Sequence, residues 1–264
     1  MSLFEVIVLA IVEGLTEFLP VSSTGHMIIV SALMGIPPTP FVKLFTIAVQ
    51  LGTILSVLAL YYKRFFRSLT FYYKLVVAAI PASIFGFLFS DHIDGMLESP
   101  LTVAIMLVIG GVVLLFIDSL FNKPTIDDSD DISYMQALKI GLFQCLALIP
   151  GTSRSASTII GGMTQNLTRK AAAEFSFFLA VPMMFGATVL KLKSHFDNGN
   201  GLDSKEINLL IIGNMIGFVV AIIAIKSFIG VVTKYGFKAF GWYRIIVGGI
   251  IIAMLLSGHS LQIL

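Results

Sequence analysis

Pro20-Val21-Ser22-Ser23-Thr24-Gly25-His26 breaks an apolar run, and Pro150-Gly151-Thr152-Ser153-Arg154-Ser155 breaks another in the same manner. Two acids four residues apart, Glu13 and Glu17, precede the first break. Hydroxyls, an imidazole, paired carboxylates and a guanidinium are costly in a bilayer, and at that depth they mark a functional site. The two breaks decide the fold, because each cuts what would otherwise be a membrane helix.

The rest of the chain fits that solvent. Of 264 residues, 57% are hydrophobic and only 12% are charged, about half the charged share of a soluble domain. A polytopic membrane protein is expected. A formal charge of +2 is too small to call for nucleic acid, and the lone Cys145 excludes an intrachain disulfide or a thiolate metal cluster. The opening Met-Ser-Leu-Phe-Glu has no basic region, so a cleaved signal peptide is not expected.

Six apolar segments can cross a bilayer: Leu44–Tyr62, Leu75–Ser90, Leu101–Ile117, Phe175–Leu190, Ile207–Ile225 and Phe240–Ser257. Two further regions fail the length test. Leu3–Leu19 carries three glutamates, and only Met27–Ile36 follows the hydroxyl cluster before Pro37-Pro38. Met135–Ile149 is short, is broken at Pro150-Gly151, and is followed by the brief Ile159–Met163. Half-length helices around a polar break predict re-entrant hairpins, over about 3–36 and 135–168. Such broken backbone survives only inside protein or along a wet cavity. The fold expected is therefore an all-α polytopic integral membrane protein with six transmembrane helices and two re-entrant helical hairpins.

The halves match one another in order. At an offset of 130, Leu19-Pro20 meets Ile149-Pro150 and Ser22-Ser23 meets Thr152-Ser153; at 138, Ile109-Gly110-Gly111 meets Val247-Gly248-Gly249. A duplication follows: one membrane domain over 1–264, with a first repeat at 1–121, a polar linker at 122–134 and a second repeat at 135–264. Each repeat holds one hairpin and three spans, so the second is inverted. Paired broken helices in inverted halves place a site near the midplane where the halves meet.

Basic loops set orientation. Lys63, Arg64, Arg67 and Lys74 crowd one connection, Lys226, Lys234, Lys238 and Arg244 another, and Asp91–Glu98 has no basic residue. The two basic connections are expected in the cytoplasm, with the mouth of the first hairpin facing outward. Three lysines between Lys191 and Glu206 weigh mildly against this.

Glu13 and Glu17, at i and i+4, repel unless a cation or a shared proton intervenes; a hard divalent ion such as Mg²⁺ or Ca²⁺ suits them. Ser22, Ser23, Thr24 and Gly25 open a short helix whose free amides suit a phosphate, although plain N-capping explains one of the hydroxyls. His26 lies within one turn of both serines, an arrangement that activates a nucleophile unless the imidazole is only a satisfied buried group. Arg154 follows Gly151-Thr152-Ser153 and precedes Ser155; its planar fork can hold two phosphate oxygens. Snorkelling toward an interface is the plainer alternative, less attractive because hydroxyls and not a long apolar run flank Arg154. Gln50 and Asn214 are expected to bond between helices, and Met183-Met184 to be core or lipid-facing.

These segments, Glu13-Gly-Leu-Thr-Glu17-Phe-Leu-Pro-Val-Ser-Ser-Thr-Gly-His26 and Pro150-Gly-Thr-Ser-Arg-Ser-Ala-Ser-Thr158, resemble the undecaprenyl-pyrophosphate phosphatase family of bacterial inner membranes, the bacitracin-resistance type. The resemblance implies removal of the terminal phosphate of undecaprenyl diphosphate, giving the monophosphate carrier of cell-wall synthesis. It also implies dependence on a divalent metal and a site reached from the outer leaflet of the inner membrane. By position, Glu13 and Glu17 match the acidic motif, Ser23 with His26 the nucleophile pair, and Arg154 beside Ser153 the phosphate-binding arginine. Ser22, His26 or a metal-activated water remain alternatives to Ser23 as nucleophile. Membrane lipids surround the chain, and a homodimer is a candidate assembly. The rival class is a secondary transporter or flippase for an anion or lipid phosphate, which the inverted broken helices also fit.

Overall fold

The computed structural model describes residues 1–65, 69–97 and 99–257. Among the described residues every regular element is helical, apart from one isolated parallel bridge between Ile126 and Leu167. In hydrocarbon each backbone amide needs a partner within its own segment, and the helix supplies one.

The chain opens with α1 (Leu3–Thr16), started by a capping box in which Ser2 accepts from the Glu5 amide at 3.2 Å and Glu5 accepts from the Ser2 amide at 3.0 Å. After the first break come α2 (Ser23–Leu33), α3 (Pro40–Ala48), α4 (Gln50–Leu60), α5 (Tyr62–Phe65), α6 (Leu69–Leu88), α7 (Ser90–Leu97) and α8 (Pro100–Leu120). The second half runs α9 (Tyr134–Gln144), a 3-10 turn (Cys145–Leu148), the second break, α10 (Arg154–Thr164), α11 (Arg169–Asp197), α12 (Ser204–Tyr235) and α13 (Lys238–Leu256).

Six helical stretches are long and apolar enough to cross a membrane: Pro40–Leu60, Leu69–Leu88, Pro100–Leu120, Arg169–Asp197, Ser204–Tyr235 and Lys238–Leu256. They are the six that the sequence predicts, but several run further at their polar ends. The longest, α12, begins three residues before its apolar run because Asp203 and Glu206 form a capping box there.

Helices pack most extensively as α8 with α13, α1 with α12, α6 with α9, and α4 with α12. The α8–α13 contact is tight: a Cβ on Gly111 would stand 2.8 Å from the Gly241 carbonyl, and the reverse substitution 2.8 Å from the Gly111 carbonyl. Close backbone approach of this kind brings membrane helices together where apolar burial alone gives no drive. Asn214 bonds between helices as expected, its Oδ1 accepting from the Gly52 amide at 2.6 Å.

The polar linker is fastened to one end of the bundle. Arg64 donates to Asp128 and, at 2.7 Å, to Glu174, while Lys74 donates to the Asp130 carbonyl at 2.6 Å. Asp118, at the end of α8, accepts from Arg169 Nε at 2.6 Å and from the Phe237 amide at 2.7 Å. The connections around Arg64 and Phe237 therefore share that end. Arg67, expected in the first basic connection, and Glu98 lie outside the described residues. Arg244 is no loop residue: it is fully buried within α13.

Candidate active site

Each break leaves a serine at positive φ immediately before a helix of 11 residues. Ser22 has φ 70° and caps α2, accepting from the Gly25 amide at 3.4 Å. Ser153 has φ 75° and caps α10, accepting from the Ala156 amide at 3.2 Å. Non-glycine residues rarely adopt this backbone, and it persists only where surroundings enforce it. Gly151, at φ 89°, is required for a second reason: any Cβ there would collide with the Val103 carbonyl of α8.

Arg244 supplies the enforcement. Its guanidinium donates to Pro20 O and Thr152 O at 3.0 Å each, and to Gly151 O at 2.9 Å. It also donates to Met106 O at 3.0 Å and Leu107 O at 3.3 Å, on α8. One side chain thus ties both breaks to α8. Its five donors are matched by carbonyls, which makes burial of the charge tolerable.

Where the breaks face each other, Glu17 joins them. Its Oε1 accepts from Arg154 Nη2 at 2.8 Å, and its Oε2 accepts from Ser23 Oγ at 2.5 Å. Arg154 is fixed from behind by Ser176 O at 2.9 Å, while its Nε is buried with no partner. Ser155 Oγ donates to Phe18 O at 2.7 Å, a second tie between the regions of the two breaks. Glu13 lies against Glu17 in the interior, with Oε1 unpaired.

A cavity of about 280 Å³ opens on this cluster. Its polar wall is Glu17, Ser22, Ser23, Thr24, Ser153 and Arg154, with Gln50 and the Gly151 turn beside them. Its apolar wall is Ile93, Ala147, Leu148, Met183 and Met184. The starts of α2 and α10 both border it, and helix N-termini attract anions. The cavity therefore offers serine hydroxyls, a carboxylate, a guanidinium and two positive helix ends beside an apolar strip. That set suits an anion carried on an apolar body.

Sequence spacing placed more residues here than the backbone does. Gly25, His26, Thr152 and Ser155 are not among the described residues lining the cavity. Gly25 packs toward Val103 and Leu107, Ser155 is spent on Phe18 O, and the buried Thr152 hydroxyl has no partner. His26 turns away from Ser23: its Nδ1 meets Ser22 O at 2.8 Å and its Nε2 meets the Tyr243 hydroxyl at 2.7 Å. Gln50, expected to bond between helices, and Met183-Met184, expected to be core or lipid-facing, line the cavity, and Met184 Sδ lies 3.5 Å from Arg154. Arg244 and Tyr243 were missed because nothing in α13 sets them apart from a helix-end basic residue and an interfacial tyrosine.

The pattern of the family described as "Bacitracin resistance protein BacA" matches residues 6–250. The chain belongs to the BacA family. Curated relatives agree over full length. The protein named undecaprenyl-diphosphatase from Flavobacterium johnsoniae is 57% identical over 265 residues, covering 100% of both chains. The protein of the same name from Porphyromonas gingivalis is 53% identical over 283 residues, again covering both chains in full. The one from Aquifex aeolicus is 44% identical over 250 residues, covering 94% of this chain and 96% of its own. This BacA-family chain thus carries its Ser23–Glu17–Arg154 cluster within the matched region.

Proposed function

We propose that this chain is an enzyme that hydrolyses undecaprenyl diphosphate to undecaprenyl phosphate and inorganic phosphate, recycling the lipid carrier of cell-wall synthesis and giving bacitracin resistance. The observation that carries this reading is the Glu17 carboxylate bound at once to Ser23 and Arg154 in a cavity with one apolar wall. The full-length relatives named for the same activity supply the substrate. The protein acts in the bacterial inner membrane, with basic connections in the cytoplasm and the cavity toward the outer leaflet.

In this mechanism the diphosphate rests between the starts of α2 and α10 while the isoprenoid leaves along the apolar wall. Arg154 spreads the charge of the transferring phosphoryl group, and Glu17 holds Ser23 in line. Ser23 Oγ bonds to the terminal phosphorus as the bridging P–O bond breaks, and undecaprenyl phosphate departs with that bridging oxygen. The serine proton passes to Glu17, the acceptor 2.5 Å away, rather than to His26 as the spacing suggested. Water then attacks the phosphoserine, releasing phosphate and restoring the hydroxyl. Phosphoryl transfer draws chiefly on positioning and charge stabilisation.

The residues also fit a hard divalent cation, since Glu13 keeps an unpaired oxygen beside Glu17. Among the described residues no group of three acidic, histidine or cysteine side chains is placed to hold a metal ion, so Glu13 and Glu17 would hold the ion with water and substrate phosphate. That is the habit of Mg²⁺ rather than of a full Ca²⁺ cage. When bound, it would neutralise charge developing on the phosphate oxygens. Purified protein in detergent, with and without chelator, tests the reading: phosphate release supports it. No release from well-folded protein, with transport in sealed vesicles, would replace it with the flippase reading.

A further inference from the structure

The Ser22 carbonyl can only accept a hydrogen bond, so the 2.8 Å contact requires His26 Nδ1 to carry the proton. A neutral ring then presents Nε2 as an acceptor, and the Tyr243 hydroxyl 2.7 Å away donates to it. The two rings stack within 4° of parallel at 5.5 Å. Both nitrogens of the imidazole are therefore occupied, and neither is turned to Ser23. Ser22 is the strained residue of the break, with its φ of 70°. Its carbonyl is held through His26 by Tyr243, and Pro20 O, two residues earlier, is held by Arg244. Adjacent residues of α13 thus grip the turn on both sides of Ser22. Downstream of that turn, Ser23 Oγ reaches Glu17 at 2.5 Å.

We propose that Tyr243 is a positioning residue for the phosphatase reaction: it fixes His26 as the Nδ1–H tautomer, and the fixed imidazole holds the Ser22 turn that aims Ser23. His26 in this arrangement is a strut and not the base of Ser23. Reorienting a nucleophile slows chemistry, whereas phosphate recognition by Arg154 and the start of α10 is untouched. The loss should therefore fall on kcat and not on KM.

This inference rests on the proposed phosphatase activity, and its test separates the two. Wild type, Tyr243→Phe, His26→Phe and the double variant are assayed for phosphate release from undecaprenyl diphosphate in detergent. Each is also labelled with ¹⁵N-histidine, the His26 signals being those lost in His26→Phe. Tyr243→Phe should lower kcat about fivefold, the scale of one neutral hydrogen bond, with KM within about twofold. The double variant should fall no further than His26→Phe, because both act through one chain of contacts. The ¹⁵N spectrum should show Nδ1 protonated in wild type, and a shift of the Nε2 resonance in Tyr243→Phe. Unchanged kcat in Tyr243→Phe, a KM effect alone, multiplying losses in the double variant, or a wild-type Nε2–H tautomer would each overturn the proposal. Wild type without phosphatase activity but with the expected ¹⁵N pattern would instead remove the activity and leave the strut.

Discussion

Glu17 and Arg154 meet at 2.8 Å although 137 positions separate them. Neither belongs to a regular span: Glu17 is the residue closing α1, and Arg154 is the first residue of α10. Each break alone would leave a charge at membrane depth, and together they cancel it. The second oxygen of Glu17 is then free for Ser23. This shared carboxylate turns two interrupted helices into one site.

Glu17→Gln keeps the shape but removes the negative charge that both Arg154 and Ser23 use. It should lower kcat at least ~100-fold, or about 2.7 kcal/mol of barrier. Phosphate release at saturating substrate and Mg²⁺ measures it, beside the melting temperature of the same sample. Near-normal turnover would separate Glu17 from the chemistry.

Ser22 and Ser23 are adjacent, yet their hydroxyls do different work. Ser22 accepts from the Gly25 amide at the start of α2, while Ser23 donates to Glu17. Ser22→Ala should cost about 1 kcal/mol of stability as a lost cap and retain substantial activity. Ser23→Ala should melt like wild type and lose turnover and any trapped phosphoserine. The reverse pattern would move the nucleophile to Ser22.

Apolar run length made the six spans legible, and the two Pro-led hydroxyl clusters located both breaks. Register was less legible. Prolines align Pro20 with Pro150, at 130, but the backbone aligns Ser22 with Ser153, at 131, since both have positive φ and both cap a helix. The capping boxes begun by Ser2 and Ser133 share that offset of 131. Which way a side chain turns was not legible at all. His26 lies within a turn of Ser23 in sequence, but its ring leaves that face for α13. Arg244 looks like a positive charge at a helix end, and only the fold shows five carbonyls converging on it.

Arg154→Lys preserves charge but not geometry. Arg154 spans Glu17 and Ser176 with separate nitrogens, while its Nε is buried without a partner. An ammonium acts as a point charge and cannot reproduce that fork. The lysine variant should lose at least ~10-fold in kcat/KM, about 1.4 kcal/mol. Activity equal to wild type, with Arg154→Ala inactive, would refute bidentate recognition.

Glu13 touches neither Ser23 nor Arg154 through its free oxygen, so its effect should depend on metal. Glu13→Gln is expected to raise the Mg²⁺ concentration for half-maximal activity at least ~10-fold, since a neutral amide is a weaker ligand for a hard cation. Magnesium titration of phosphate release checks this. An unchanged midpoint would leave Glu13 as a proton-sharing partner of Glu17 and nothing more.

The linker clamp should matter more for stability than for catalysis. Arg64 pairs with Glu174 at 2.7 Å and with Asp128, and both Arg64 and Glu174 are largely shielded from solvent. The clamp sits at the α8 C-terminal end, whereas the Gly151 turn abuts Val103, 15 residues earlier on that helix. At 1.5 Å per residue the α8 end of the clamp stands roughly 20 Å from the Gly151 turn, but on α11 Glu174 lies only two residues before Ser176, whose carbonyl holds Arg154. Glu174→Gln strips a carboxylate from a largely buried pair but leaves Asp128 to hold Arg64. The expected cost is about 2 kcal/mol, below the range for a fully uncompensated buried charge. Melting in detergent should fall by several degrees, while kcat at low temperature stays within about twofold of wild type because Asp128 still holds Arg64 and the Ser176 carbonyl still holds Arg154. A large loss of kcat without a drop in melting temperature would mean that the clamp communicates with the cavity through the stretch of α11 that carries both Glu174 and Ser176.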